Sequence, residues 1–271
     1  RYTLDGSEPT VSLFKPAILY TGPIIIESTT TVRARAFKDG ALPGRVKSEV
    51  FIQLGDDMKD FDTSLGLAFI DSGGINVDTK GKDRLYGASA VFIEQDKVTG
   101  LAKVDGESDW SGRIGMRRRG QSSLNFAKKQ YHMESWDEND RDKAVSIFGM
   151  PSESDWVIQA PYADKTLMRN YLVYGWSRAM GHYAVRTKFI EVFYNPDDDE
   201  PVTYDDYRGV YVFMERIKRD GDRVDLEPLL PEHDSEPEIT GGYIFRKDKE
   251  NQNNTTFRTG TERQTLQLIE P

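Results

Sequence analysis

The sequence predicts an α+β protein: a small all-β module in front, then a mixed domain with one major helix packed on a mostly antiparallel sheet. Three observations predict it. Short alternating runs broken by glycine and proline turns fill residues 1–53, and longer strand-like runs recur from residue 65 onward. One segment, residues 165–180, has helical instead of strand spacing.

In the leading segment Val32, Ala34 and Ala36 alternate with Arg33 and Arg35, and Val50-Phe51-Ile52 forms a further run. Asp5-Gly6, Gly22-Pro23, Asp39-Gly40 and Pro43-Gly44 supply the turns between such runs. Residues 1–53 are too few to complete a sandwich, so a truncated β-sandwich module is expected. Residues 54–63 are acidic and weakly apolar and read as a linker, leaving 64–271 as the second domain.

Within that domain strands are predicted over 67–70, 88–94, 113–119 and 129–134, the last with Tyr131 and Met133 on one face. Residues 189–194 and 209–215 read as a long hairpin around an acidic, turn-rich loop. Asp164 is placed to cap a helix from 165 to about 180. Leu167, Tyr171, Tyr174 and Arg178 follow helical spacing, and Gly181 is its stop. No repeat of period about thirty and no low-complexity tract occurs.

Composition narrows the function. With 36 Lys+Arg against 45 Asp+Glu the formal charge is −9, which argues against a general nucleic-acid binder while leaving a local basic pocket open. The absence of cysteine removes disulfides, thiol nucleophiles and cysteine-ligated zinc. No run reaches the roughly eighteen apolar residues of a membrane span. No signal-peptide pattern opens the sequence at Arg1, and the chain is expected to be a piece lacking its native N-terminus.

The run Arg117-Arg118-Arg119-Gly120-Gln121-Ser122-Ser123 stands out in so acidic a chain. A glycine lets backbone approach a ligand, hydroxyls suit phosphate oxygens, and arginines add charge-assisted bonds. Lys128 and Lys129 follow directly. The same run also reads as a solvated hairpin turn with surface arginines. His132, His182 and His233 sit in unrelated contexts and suggest no metal or triad role. Asp197-Asp198-Asp199-Glu200 lacks the alternating ligands of a calcium loop and reads as a solvated tip. Trp110, Trp136, Trp156 and Trp176 read as packing residues.

The segment from Arg119-Gly120-Gln121-Ser122-Ser123 through Phe126-Ala127-Lys128-Lys129-Gln130-Tyr131 resembles the signature of CotH-like proteins. Phe148-Gly149-Met150-Pro151, Asp155-Trp156-Val157, Asp164-Lys165-Thr166 with Arg169-Asn170, Gly209-Val210-Tyr211 with Met214-Glu215-Arg216, Arg223-Val224-Asp225 and Gly241-Gly242-Tyr243 continue the resemblance in order, from about residue 65 to the end. Arg118 stands where many relatives carry glycine, and Ala127 replaces their usual proline. Separately, Tyr2-Thr3-Leu4-Asp5-Gly6-Ser7-Glu8-Pro9-Thr10 with residues 31–37 resembles a chitobiase C-terminal type of β-sandwich module.

The CotH-like resemblance implies an atypical protein kinase that uses ATP and magnesium to phosphorylate serine on partner proteins, with a fold like a kinase small lobe. It implies that Arg119, Gly120, Ser122 and Ser123 cover phosphates, and that Lys129, expected on the face of Tyr131, pairs with them, Lys128 second. Met214 and Glu215 stand as the hinge beside the adenine, and Arg169 with Asn170 on the helix orients these groups. The helix offers no glutamate for the usual lysine partner. Catalytic and metal-binding aspartates are expected beyond residue 271, so no catalytic residue or metal ligand is assigned and the chain alone is expected not to transfer phosphate. An extracellular or cell-surface location is implied. The rival reading is a non-enzymatic surface, adhesion or polysaccharide-associated module, with glycan contact open to the leading segment. A glycan-active enzyme is weakened by the lack of a convincing pair of positioned carboxylates.

Overall fold

A computed structural model describes residues 1–12, 17–197, 201–230, 232–247, 256–258 and 265–270. Two compact units result, one formed by residues 1–180 and 186–216, the other by 181–185 and 217–271.

The first unit opens with β1 (Tyr2–Thr3), β2 (Thr30–Ala34) and β3 (Lys47–Phe51), an antiparallel sheet in that order. The turn after β1 is held as its residues suggest: Asp5 Oδ1 accepts from the Ser7 amide at 3.0 Å and from the Ser7 hydroxyl. Arg33 donates to the Gly6 carbonyl at 2.7 Å. The acidic stretch that follows forms a 3₁₀ turn at Asp56–Met58, and Met58 is wholly buried. The Gly55 amide donates to the Val202 carbonyl at 2.7 Å and the Tyr204 amide to Asp57 at 2.9 Å.

Next come β4 (Asp62–Thr63), β5 (Gly66–Asp71), β6 (Tyr86–Ile93), β7 (Ala102–Lys103), β8 (Trp110–Arg118), β9 (Tyr131–Trp136) and β10 (Asp155–Gln159). After helix α1 (Arg169–Ala179) follow β11 (Thr187–Asn195) and β12 (Tyr207–Glu215). Seven of these strands close into a barrel in the order β10-β12-β11-β5-β6-β8-β9, with β9 pairing back onto β10. Every pairing is antiparallel except β5 with β11. The predicted 189–215 hairpin is thus present as β11–β12. Its acidic tip at 198–200 lies outside the described residues.

The closed barrel overturns the predicted kinase-small-lobe-like α+β domain. Alternation along each strand sends Ala68 and Ile70, Phe92, Ile114 and Met116, Tyr131 and Met133, Trp156 and Ile158, and Tyr211 and Phe213 into one interior cluster. Each of the larger aliphatic and aromatic side chains among these, fully buried, contributes roughly 1.5–3 kcal/mol. The core therefore lies inside one sheet curled on itself, not between a sheet and a helix. Gly115 makes room for the Trp136 ring, from which a Cβ there would lie 2.0 Å. A second cluster, with Met58, Leu67, Phe69 and Phe193, covers part of the outer surface.

Helix α1 is shorter than predicted and none of its residues is buried. Leu167 adopts φ +62°, so helical geometry cannot start at residue 165. Asp164 still serves the helix end from a distance, its Oδ2 accepting from the Arg169 amide at 2.9 Å. The helix meets the barrel through Tyr171, whose ring stacks on Phe189 with centroids 4.6 Å apart.

The second unit contains β13 (Ile244–Arg246), β14 (Thr256–Arg258) and β15 (Thr265–Glu270), an antiparallel sheet in the order β13-β15-β14.

Candidate functional site

Strand β8 ends at Arg118, and the chain turns through Gly120 and a 3₁₀ turn at Ser122–Asn125 before rejoining the barrel in β9. The turn is pinned on both sides. The Arg119 amide donates to the Gln130 carbonyl at 2.9 Å, and Gln130 Nε2 donates to Ser123 Oγ at 3.0 Å. Gly120 sits at φ +108°, and a Cβ there would lie 2.0 Å from Ser123 Oγ. Only glycine fits this crossing. Lys82 reaches the Gly120 carbonyl at 3.3 Å, so a further cation borders the turn.

The three arginines of the run have different fates. Arg117 donates to the Lys82 carbonyl at 2.7 Å, and Arg118 is forked onto the Lys80 carbonyl. The exposed Arg119 guanidinium makes no hydrogen bond or ion pair among the described residues. Surrounding protein mass, then the like charges of Arg216 and Arg117, lower its pKa, while Tyr174 of α1 acts in the other direction. An arginine beside other arginines and without a counter-charge is suited to an anion.

The two lysines are placed differently from the expectation that Lys129 shares a strand face with Tyr131. Regular β-structure begins only at Tyr131, so strand alternation does not carry Lys129 onto that residue's face. Lys129 instead donates to the carbonyls of Leu124 at 2.9 Å and Phe126 at 2.6 Å, closing the 3₁₀ turn from below. Lys128 is the one that joins the tyrosines. Its ammonium lies 4.3 Å from the Tyr211 ring centroid, donates to the Val210 carbonyl, and is pushed by burial down to about 8. Tyr211 in turn stacks on Tyr131 at 6.4 Å.

Met214 and Glu215 end β12, and both are buried. Glu215 has no exposed surface: its Oε1 accepts from Arg186 Nη1 at 2.6 Å and its Oε2 from the Arg186 amide at 2.7 Å. Its carboxylate fastens β12 to the start of β11. Arg169 opens α1 with its side chain 76% exposed, 3.5 Å from Asp164. The Gly120–Ser123 turn, Arg119, Lys128 and Lys129 thus form one neighbourhood at the β8–β9 connection, while Glu215 and Arg169 are each committed to a local partner.

One constellation was missed from the sequence. His132, Glu134 and Asp155 come together because β9 and β10 are antiparallel with Glu134 directly opposite Asp155. The His132 Nε2 lies 3.0 Å from Glu134 Oε1 and 3.4 Å from Asp155 Oδ1, and Arg216 donates to that same Asp155 oxygen at 2.7 Å. Burial lowers the His132 pKa, opposed by its bond to Glu134. The sequence signal is the alternation His132-Met133-Glu134, which puts two polar side chains on the face away from the interior.

No curated protein sequence matches the chain. Residues 1–48 match the chitobiase/β-hexosaminidase C-terminal domain, in agreement with the reading of the leading segment. Residues 116–270, more than half of the chain, match the CotH kinase protein family and take in the Gly120 turn, both lysines, α1 and β12. The chain therefore belongs to the CotH kinase protein family.

Proposed function

We propose that the protein takes part in nucleotide-dependent phosphorylation, transferring the ATP γ-phosphoryl group to serine of partner proteins, and that the β8–β9 connection receives the nucleotide phosphates. The observation that carries this reading is the uncompensated Arg119 guanidinium beside a turn whose glycine admits no side chain, in a chain of this family. ATP supplies the transferable phosphoryl group, and magnesium would neutralise its charge.

The residues of this chain would act by binding and orientation. Arg119 would pair with phosphate oxygens, and Ser122 would offer its hydroxyl at the rim of the turn. Lys129, through the Leu124 and Phe126 carbonyls, would hold the turn in shape. Ser123 is occupied by Gln130 and would fix the backbone over Gly120. Lys128 would supply positive charge from behind, adjustable near pH 8. Buried Glu215 would support the end of β12 from its pairing with Arg186, and exposed Arg169 would be available only by leaving Asp164.

Calorimetric titration with a non-hydrolysable ATP analogue tests this. Arg119→Ala is expected to weaken binding by about 1.5–3 kcal/mol, somewhat more than tenfold in Kd, with stability unchanged within about 0.5 kcal/mol. Arg118→Ala, whose guanidinium is committed to the Lys80 carbonyl, is the control. Equal affinities in all three proteins would remove the phosphate role from the turn.

The match of residues 1–48 to a chitobiase/β-hexosaminidase C-terminal domain favours a second reading, a non-enzymatic surface or polysaccharide-associated module at an extracellular location. Retention on an immobilised glycan, lost on deletion of that segment and accompanied by no nucleotide binding, would favour it.

A further inference from the structure

On the outward faces of β9 and β10, with His132 opposite Arg117 of β8, stands the grouping of His132, Glu134 and Asp155. We propose that these three side chains form a transition-metal site for zinc or a close neighbour such as cobalt(II), with Arg216 as its outer partner.

The geometry suits it. One ligand atom from each residue lies within 4.8 Å of the other two. The two edges from His132 Nε2 measure 3.0 and 3.4 Å. Donor atoms about 2.0–2.2 Å from a tetrahedral ion stand roughly 3.3–3.6 Å apart, so small side-chain adjustments close the triangle around an ion. Neighbouring strands of a closed barrel carry the ligands, which fixes their separation before any ion arrives. His132 and Asp155 are 4% and 7% exposed, whereas the Glu134 side chain keeps 20%, leaving a way in.

Ligand chemistry selects the metal. An imidazole nitrogen with two carboxylate oxygens suits zinc and its neighbours, while magnesium and calcium prefer oxygen alone. Two carboxylates against the single Arg216 guanidinium leave the grouping net negative, which favours a cation, and a neutral imidazole adds no charge. On binding, His132 would carry its proton on Nδ1 and turn Nε2 to the metal. Arg216, bonded to Asp155 at 2.7 Å, would orient that carboxylate as outer-shell donors do for metal ligands. A water would complete the coordination. Nucleotide plays no part, so the site stands or falls apart from the phosphorylation reading.

The test uses the metal-free whole chain. Zinc titrated by calorimetry is expected to bind one equivalent, and cobalt(II) to develop the visible absorption of a tetrahedral site. His132→Ala and, as the near-isosteric change, Glu134→Gln should each weaken binding by more than about tenfold, with circular dichroism unchanged in Glu134→Gln. An excess of magnesium should not displace the cobalt signal. Failure of the wild-type chain to bind zinc at micromolar concentration, or unchanged zinc affinity in both variants, would overturn the proposal.

Discussion

The ammonium of Lys128 lies over the ring of Tyr211, 4.3 Å from its centroid, and so fastens the approach to β9 onto β12 across the barrel wall. Burial pushes this lysine down to about 8 from the ordinary lysine value of 10.5. The folded protein therefore binds fewer protons here than the unfolded chain between about pH 8 and 10.5. Stability rises with pH wherever the unfolded state binds more protons. The folding penalty from Lys128 is full below pH 8 and is relieved as pH climbs through that window. Urea melts from pH 7 to 10 should show the wild type gaining on Lys128→Met as pH increases, whereas parallel curves would mean the lysine is solvated.

Gly120→Ala should be the most damaging small change in the β8–β9 connection. It sets a methyl group 2.0 Å from Ser123 Oγ and holds alanine at φ +108°. The backbone strain alone costs of order 1–3 kcal/mol. Adding Ser123→Ala removes the overlap but not the strain, so the double variant should recover part of the loss in denaturant melts. Full recovery would show that the overlap was the whole effect.

Lys129→Met removes the ammonium that closes the 3₁₀ turn by donating to the Leu124 and Phe126 carbonyls. Each lost hydrogen bond to a charged group is worth about 1.5–3 kcal/mol, less where water replaces it. The expected signature is local: amide exchange at residues 122–126 should speed up while β5 and β11 stay protected. Unchanged exchange there would show that the turn holds without the lysine.

Glu215→Gln addresses whether the end of β12 serves structure or ligand. The carboxylate has no exposed surface and accepts two bonds from Arg186, so its neutralisation should cost about 3 kcal/mol of stability, moderated because Arg186 is 39% exposed. A stable Glu215→Gln protein with weakened nucleotide binding would instead return this residue to the hinge role.

Period-two alternation made most barrel strands legible. The runs predicted at 67–70, 88–94 and 209–215 are the cores of β5, β6 and β12. Alternation names the inward residues but not what they pack against, so Tyr131 and Trp156 look alike whether a helix or the far wall of the same barrel receives them. The helix start was misread because the left-handed Leu167 leaves no trace in residue spacing. Lys129 was expected on the face of Tyr131, but the alternation assumed for it begins two residues later, at Tyr131. The meeting of Glu134 with Asp155 depends on the register of two strands separated by a loop, which single-chain patterning does not encode.

The lone parallel pairing in the barrel, β5 against β11, joins residues 66–71 to residues 190–195. Antiparallel partners can be supplied by the next turn of the chain, but this one arrives more than a hundred residues later. During synthesis β5 therefore leaves the ribosome with one edge unsatisfied, and that edge stays open until β11 has followed it. Closure of so distant a pairing bears the loop entropy of the whole intervening chain, which slows the last step of assembly. Until that pairing forms, the exposed edge of β5 is a template for a second copy of the chain.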